Sequence, residues 1–227
     1  MVTSELPCPY LPGRFERKLV TELTGAGAQE HYEVLSRAGF RRSHSIAYRP
    51  ACAGCSACVP VRIVVAGFQP SASLARIRRH NSDLALAIIG SRSTREQYAL
   101  FGRYLDQRHG DGEMAGMDYH DYRAMIEDTA VDSRMLELRD SSGALVAACL
   151  TDWTSDGLSA VYSFFAPEES RRSLGSEMIL RLVDVARSDR LPYVYLGYWI
   201  EKSRKMAYKS RFRPLEAFGA RGWQPLP

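Results

Sequence analysis

Three groups of residues in this 227-residue sequence have types and spacings that could do chemistry. The first is Cys52-x-x-Cys55-x-x-Cys58, where two-residue spacing lets successive thiolates converge on one centre, with Cys8 available as a fourth. Four thiolates suit structural zinc or an iron–sulfur cluster; the alternative is a set of reduced, partly buried thiols. Disulfides are the poorer use of this spacing in a reducing compartment. The second group, Arg171-Arg172-Ser173-Leu174-Gly175-Ser176, stands where a helix should begin. Free backbone N–H groups and the positive end of the helix dipole meet there, and a small residue would let an anion come close, although an ordinary helix start reads the same way. The third is the segment 199–213, with Lys202, Arg204, Lys205, Lys209, Arg211 and Arg213 against the single acid Glu201. Trp199, Tyr208 and Phe212 are interleaved among those cations. Aromatic faces stack on unpaired bases while Lys and Arg meet phosphates, so the segment suits a single-stranded RNA end; the alternative is a solvated loop.

These groups need elements to hold them. Residues 158–200 read as an apolar, aromatic and β-branched strand, a polar loop, a segment of helical period and a second strand. Upstream, 135–139 and 144–152 flank Ser141-Ser142-Gly143 as a hairpin leading into that first strand, and 84–89 is a further strand. Helical patterns cover 29–37, 94–109, where a Ser/Thr cap precedes apolar residues at helix period, and 119–128; a helix capped by Ser71 carries Arg76, Arg78, Arg79 and His80. In the N-terminal third, 17–23, 40–48 and 59–65 read as strands framing the cysteines. Pro70 and its neighbours mark the boundary between a smaller Cys-containing domain, 1–70, and a larger one, 71–227. A glycine-rich connector is expected at 109–116 and a packed tail over the last nine residues.

A chain with 45% hydrophobic residues can bury a sizeable core, and no apolar run reaches the ~20 residues of a membrane span. The first ten residues lack the charged start and apolar centre of a signal peptide, so the expectation is a cytoplasmic protein with no membrane partner. The net charge of +4 is modest, but segment 199–213 alone carries +5 and holds three of the four lysines. The charge is local rather than global, which favours a defined polyanion surface over bulk attraction.

The strings SAVYSFF, SLGSEMIL and PYVYLGYWIEKSRKMAYKSRFRPLEAFG resemble the C-terminal half of the aminoacyl-tRNA–protein transferases. CPYLPGR, AGFRRSHSIAYRPACAGCSACVPVRI and ARIRRHNSDL resemble the N-terminal half of the family's bacterial, leucyl branch. The resemblance implies an α+β, GNAT-like acyltransferase fold, in which Arg172-x-x-Gly175 is similar to an acyl-donor loop. It implies transfer of leucine from Leu-tRNA to the α-amine of proteins starting with Asp or Glu, tagging them for degradation by the N-end rule. On that basis Asp152 and Tyr198 are candidates for proton handling, and the backbone around Tyr162 for polarising the ester carbonyl. Tyr162, Phe164 and Trp199 would line an apolar donor pocket, and Arg171 and Arg172 would reach the terminal nucleotide. Lys202, Lys205 and Lys209 would meet phosphates, while Arg76, Arg79 and Lys209 would pair with the acceptor carboxylate. No cofactor is required for the chemistry, and Cys8, Cys52, Cys55 and Cys58 are the candidates for zinc or an iron–sulfur cluster. Eukaryotic relatives are associated with such a cluster on differently spaced cysteines. Where the family usually carries Asp in Phe/Tyr-Asp-Pro, this chain has Phe165-Ala166-Pro167. Arginyl transfer, an acyl-CoA-dependent N-acyltransferase and a noncatalytic metal-containing RNA-binding module are the competing readings.

Overall fold

The computed structural model describes residues 1–108, 114 and 116–226, so the connector expected at 109–116 lies almost wholly outside the described residues. In chain order the elements are β1 (Leu6–Pro7), β2 (Phe15–Glu16), β3 (Lys18–Glu22), α1 (Ala28–Arg37), β4 (Arg41–Ser43), β5 (Ile46–Pro50), β6 (Val59–Val64), α2 (Ala72–His80), β7 (Ala85–Gly90), α3 (Arg95–Arg108), α4 (Tyr119–Glu127), β8 (Ser133–Arg139), β9 (Leu145–Thr154), β10 (Gly157–Phe165), a 3-10 turn (Pro167–Arg172), α5 (Leu174–Ser188), β11 (Tyr193–Trp199), a second 3-10 turn (Ala207–Arg211), β12 (Leu215–Gly219) and β13 (Gly222–Pro225).

Eight strands form one sheet in the order β13-β12-β6-β11-β10-β9-β8-β7, with β10 and β11 as its parallel pair. The parallel pair follows from chemistry already visible in the sequence: β10 and β11 are separated by the 15-residue amphipathic helix α5, and a parallel connection needs such a crossover. β9 is buried along its whole length, which its run LVAACLTDWT requires, and α3 and α5 both pack on it. Phe101 of α3 meets Phe164 edge-on at 5.5 Å and Tyr122 of α4 at 5.0 Å, so the helices are keyed into the sheet by aromatic contacts. Helix starts are chemically marked: Asp118 and Asp121 exchange hydrogen bonds as a capping box, and Thr94 and Gln97 do the same.

A second, three-stranded sheet in the order β3-β5-β4 packs with α1 around Leu23, Ala28, Tyr32 and Ala47. It is fastened to the large sheet by the Arg42–Asp152 pair at 2.6 Å, by the Tyr32 hydroxyl, 3.2 Å from the hydroxyl of Ser159, and by Gln29, which donates to the Trp153 carbonyl at 3.0 Å.

One expectation changes. Residues 40–48 do not run as one strand: β4 and β5 fold back on each other, turning at His44, whose φ of +52° a polar residue tolerates in a tight turn. The tail packs: β13 pairs with β12 and Trp223 stacks edgewise on Tyr195 at 5.6 Å. β6 belongs to the N-terminal third by position, yet it is a central strand of the large sheet, between β12 and β11. Its near-continuous burial explains why: an apolar strand needs cover on both faces, and the small sheet could not supply it.

Candidate active site

The sheet opens where its one parallel pair ends. β10 and β11 pair only at Gly157↔Tyr193, Leu158↔Val194 and Ser159↔Tyr195. Immediately beyond, β10 has a bulge between Ala160 and Tyr162 in its pairing with β9, and β11 has one between Tyr195 and Gly197 in its pairing with β6. Two bulges at the same level bend the strands away from each other and leave a wedge between them.

Arg41, from the start of β4, fills the root of that wedge. Its Nη2 donates to the carbonyls of Ala160 and Val161, both at 2.7 Å, replacing the strand partner that β11 no longer provides. Gly197 is shaped to it: φ is +71°, and a Cβ there would lie 1.6 Å from Arg41 Nη1. Tyr48, Tyr32, Tyr198 and Tyr10 surround the guanidinium. Lys209, from the second 3-10 turn, is buried beside it and donates from Nζ to the Tyr198 carbonyl at 2.6 Å. Burial first, and then the charge of Arg41, push the Lys209 ammonium down to about 7, with Cys58 acting the other way.

The sequence-derived candidates divide around this wedge. Tyr198 borders it, but its hydroxyl donates to the carbonyls of Tyr48 at 3.0 Å and Gly39 at 3.3 Å, and burial raises its pKa far out of the useful range. It is a strut for the small sheet rather than a proton carrier. Asp152 is fully buried and accepts from Arg42 Nε, Arg42 Nη2 and Ser133 Oγ at 2.6–2.8 Å. Its expected part in proton handling gives way to an ion pair that joins the sheets. Phe164 is 1% exposed and packed on Phe101, so it is core and not pocket lining. Tyr162 lies on the opened part of β10, its ring 6.0 Å from Phe101, and burial raises the pKa of its phenol. Trp199 closes β11 and is partly buried, with its indole Nε1–H enclosed and unpaired among the described residues.

The cations fall into two classes. Lys209 is 7% exposed, so it cannot meet a phosphate at the surface as expected. Lys202, Lys205, Arg76, Arg79 and Arg171 are exposed. Arg172 is drawn back into the protein, donating from Nε to the Asn81 side chain at 2.9 Å and pairing with Asp83. Helix α2 connects the groups: at its start Arg211 donates to Ser73 Oγ at 3.3 Å, and at its end Asn81 donates to the Arg172 carbonyl at 2.9 Å. The basic C-terminal segment, the arginines of α2 and the loop before α5 therefore form one strip. Gly175 has a different reason from the one the sequence suggested. A Cβ there would lie 2.9 Å from the Phe165 ring, so the glycine admits an aromatic side chain, not a phosphate. Ala166 is 3% exposed and takes a place in the core where a carboxylate would be costly.

Cys8, Cys52, Cys55 and Cys58 line one cavity of about 70 Å³ together with Tyr10, Tyr48 and Tyr198. Burial, followed by the proximity of Cys8, Cys52 and Cys55, pushes the Cys58 thiol up to about 12. Soft thiol donors brought together from two parts of the chain are a donor set that zinc or an iron–sulfur cluster takes. Among the described residues, however, no three Cys, His, Asp or Glu are drawn in tightly enough to form a ligand shell. Cys149, mid-strand in β9, is fully buried core.

Sequence reasoning missed Arg41 and Arg42. Their signal was present: two adjacent arginines inside a strand-forming run, GFRRSHSIAY, put one charge on each face of a strand that packs on both.

Two protein-family models match the chain: arginine-tRNA-protein transferase, N terminus, over residues 6–76, and arginine-tRNA-protein transferase, C terminus, over residues 96–219. The aspartate/glutamate leucyltransferase of Paramagnetospirillum magneticum is 56% identical over 98% of this chain and 91% of that protein. Proteins of the same name from Granulibacter bethesdensis and Parvibaculum lavamentivorans are each 53% identical, over 99% and 100% of this chain and 84% and 94% of theirs. The C-terminal domain of a putative lysylphosphatidylglycerol synthetase from Agrobacterium fabrum superposes with a TM-score of 0.52 at 14% identity, over 91% of this chain and 65% of that one. That likeness shows the fold, which is GNAT-like, as the expected α+β acyltransferase architecture requires.

Proposed function

Because the chain belongs to the arginine-tRNA-protein transferase family, in company with relatives named aspartate/glutamate leucyltransferase, we propose that the wedge between β10 and β11 is where a leucyl ester meets a protein N-terminus. The protein is an aminoacyltransferase that transfers leucine to N-terminal Asp or Glu. The donor is the ester at the 3′ end of Leu-tRNA. The acceptor α-amine attacks the ester carbonyl, an amide bond forms as the ester C–O bond breaks, and the ribose hydroxyl leaves with a proton.

The ester is already activated, and an α-amine of pKa near 8 is partly free base at neutrality. The enzyme therefore has mainly to align the two and stabilise the developing oxyanion. The observation that carries this placement is the parting of the parallel pair after Ser159 and Tyr195, which frees the β11-facing edge of β10 beside Arg41. Tyr162 and Trp199 border the opened strands and supply aromatic surface for an apolar donor side chain, which suits leucine and leaves arginine without a carboxylate partner. Lys202, Lys205, Arg76, Arg79 and Arg171 lie exposed on the strip that would carry the tRNA end. From a tRNA-dependent reaction we infer a cytoplasmic location; among the described residues no helix is long and apolar enough to cross a membrane.

The four cysteines of the cavity beneath Tyr198 would hold zinc or an iron–sulfur cluster as a staple between the N-terminal segment and β5–β6, with no part in the transfer itself. Elemental analysis of anaerobically purified protein checks this: about one zinc, or the two or four irons of one cluster, per chain is expected, and neither metal would end the idea. The function is tested by offering leucine- and arginine-charged tRNA with peptides starting with Asp, Glu or Ala. Leucine should pass to the Asp and Glu peptides only, and arginine transfer without leucine transfer would overturn the donor.

A further inference from the structure

Two cations meet at the wedge, Lys209 buried and Arg41 partly exposed, and among the described residues neither is paired with a carboxylate. The contrast with the protein's buried arginines is direct. Arg42 is matched by Asp152 and Arg62 by Glu216, at 2.6 and 2.8 Å. Arg41 bonds only to the carbonyls of Ala160 and Val161, through Nη2, and Lys209 only to the carbonyl of Tyr198. The Nη1 and Nε donors of Arg41 are left without a protein partner among the described residues. Holding a buried cation against a partly buried one without a counter-ion is costly, and carbonyl dipoles offset only part of that cost. The depressed Lys209 ammonium is the same cost seen at one atom. A site that accepts this expense is built to receive an anion.

We propose that Arg41, assisted by Lys209, binds the side-chain carboxylate of the acceptor's N-terminal Asp or Glu. The assignment rests on the function given above and replaces the surface arginines of α2 as the acceptor's recognition group. Two features favour a carboxylate over a tRNA phosphate. The cations lie inside the fold, between two strands and beneath the small sheet, whereas the strip of exposed Lys and Arg offers phosphates a solvated face. A carboxylate held at the root of the wedge also lies only a few bonds from its own α-amine. Anchoring one therefore delivers the nucleophile to the opened edge of β10, where the ester is to be attacked. Such a site discriminates sharply, because a neutral amide of the same shape leaves both charges uncompensated.

The test measures kcat/KM for peptides starting with Glu, Gln and Ala, and the apparent KM for Leu-tRNA, in the wild-type chain, Arg41→Met, Arg41→Lys and Lys209→Met. Wild type should favour Glu over Gln by about 100-fold or more. Arg41→Met and Lys209→Met should each shrink the Glu-over-Gln preference about 10- to 100-fold while leaving the KM for Leu-tRNA within about twofold. Arg41→Lys, which keeps a cation under Gly197, should retain part of the preference. Should Arg41→Met fail to fold, Lys209→Met decides, since methionine keeps much of the volume and removes the buried charge. A Glu preference that survives in the folded variants overturns the assignment. So does an equal loss for every peptide accompanied by a raised KM for Leu-tRNA, which would give these cations to the donor phosphates. A wild-type chain inert toward leucine would instead overturn the function on which the assignment rests.

Discussion

A carboxylate that accepts three hydrogen bonds in a buried site is poorly placed to collect a proton from an attacking amine. Asp152 is in that position, with both oxygens taken by Arg42 and Oδ1 also by Ser133. Its identity as a strand acid was legible in the sequence; its partner was not, because Arg42 is 110 residues away and only the fold brings it back. The same distance hid Arg41, whose two acceptors lie 119 and 120 residues along the chain. Lys209 was legible as a cation and misplaced as a surface one, since a basic run does not say which of its members turns inward. The physical role of Asp152 sets its prediction. Asp152→Asn leaves Arg42 charged and unmatched in the interior, which should destabilise the fold by about 3–5 kcal/mol. Urea unfolding should move to lower concentration, and Arg42→Met with Asp152→Leu should recover much of the loss. An unchanged midpoint together with a collapsed kcat would return Asp152 to the chemistry.

At the scale of elements, periodicity carried the helices and the meander β8–β9–β10, because each has a strong local signal and buries one defined face. Local signal failed at the turn through His44 and at the β12–β13 hairpin, both short and polar, where tertiary pairing decides the structure. Nothing in YSFF or YLGYW announces the wedge between β10 and β11 except Gly197. That glycine can be tested. Gly197→Ala meets both an unfavourable positive φ, worth roughly 1–2 kcal/mol, and a Cβ position 1.6 Å from Arg41 Nη1. The total loss in stability should exceed the backbone cost alone, and Asp- and Glu-peptide transfer should fall with it. In the double variant Gly197→Ala, Arg41→Ala the steric part vanishes, so the two losses should be clearly non-additive. Simple additivity in thermal or urea unfolding would mean that Gly197 and Arg41 are not coupled.

Across the whole molecule, charge is sorted by depth. Buried cations face the wedge or an acid, and exposed ones collect along α2, the loop before α5 and segment 199–213, with the ends of α2 tying the three together. The sequence showed the local excess of charge but not its continuity, because α2 reaches the other two segments only through long-range contacts. A polyanion bound to such a strip releases counterions, so its affinity falls with salt in proportion to the phosphates it meets. Exposed Lys202 and Lys205 should therefore each contribute about one unit to the slope of log affinity against log salt concentration for Leu-tRNA. The double change Lys202→Ala, Lys205→Ala should flatten that slope by about two units and raise the KM for Leu-tRNA while leaving the Glu-peptide KM at its wild-type value. The acceptor value is the discriminating one, since the wedge cations sit apart from the strip. A slope that does not move would remove 199–213 from the tRNA surface, and a peptide KM that rises in step would mean that strip and wedge form one site.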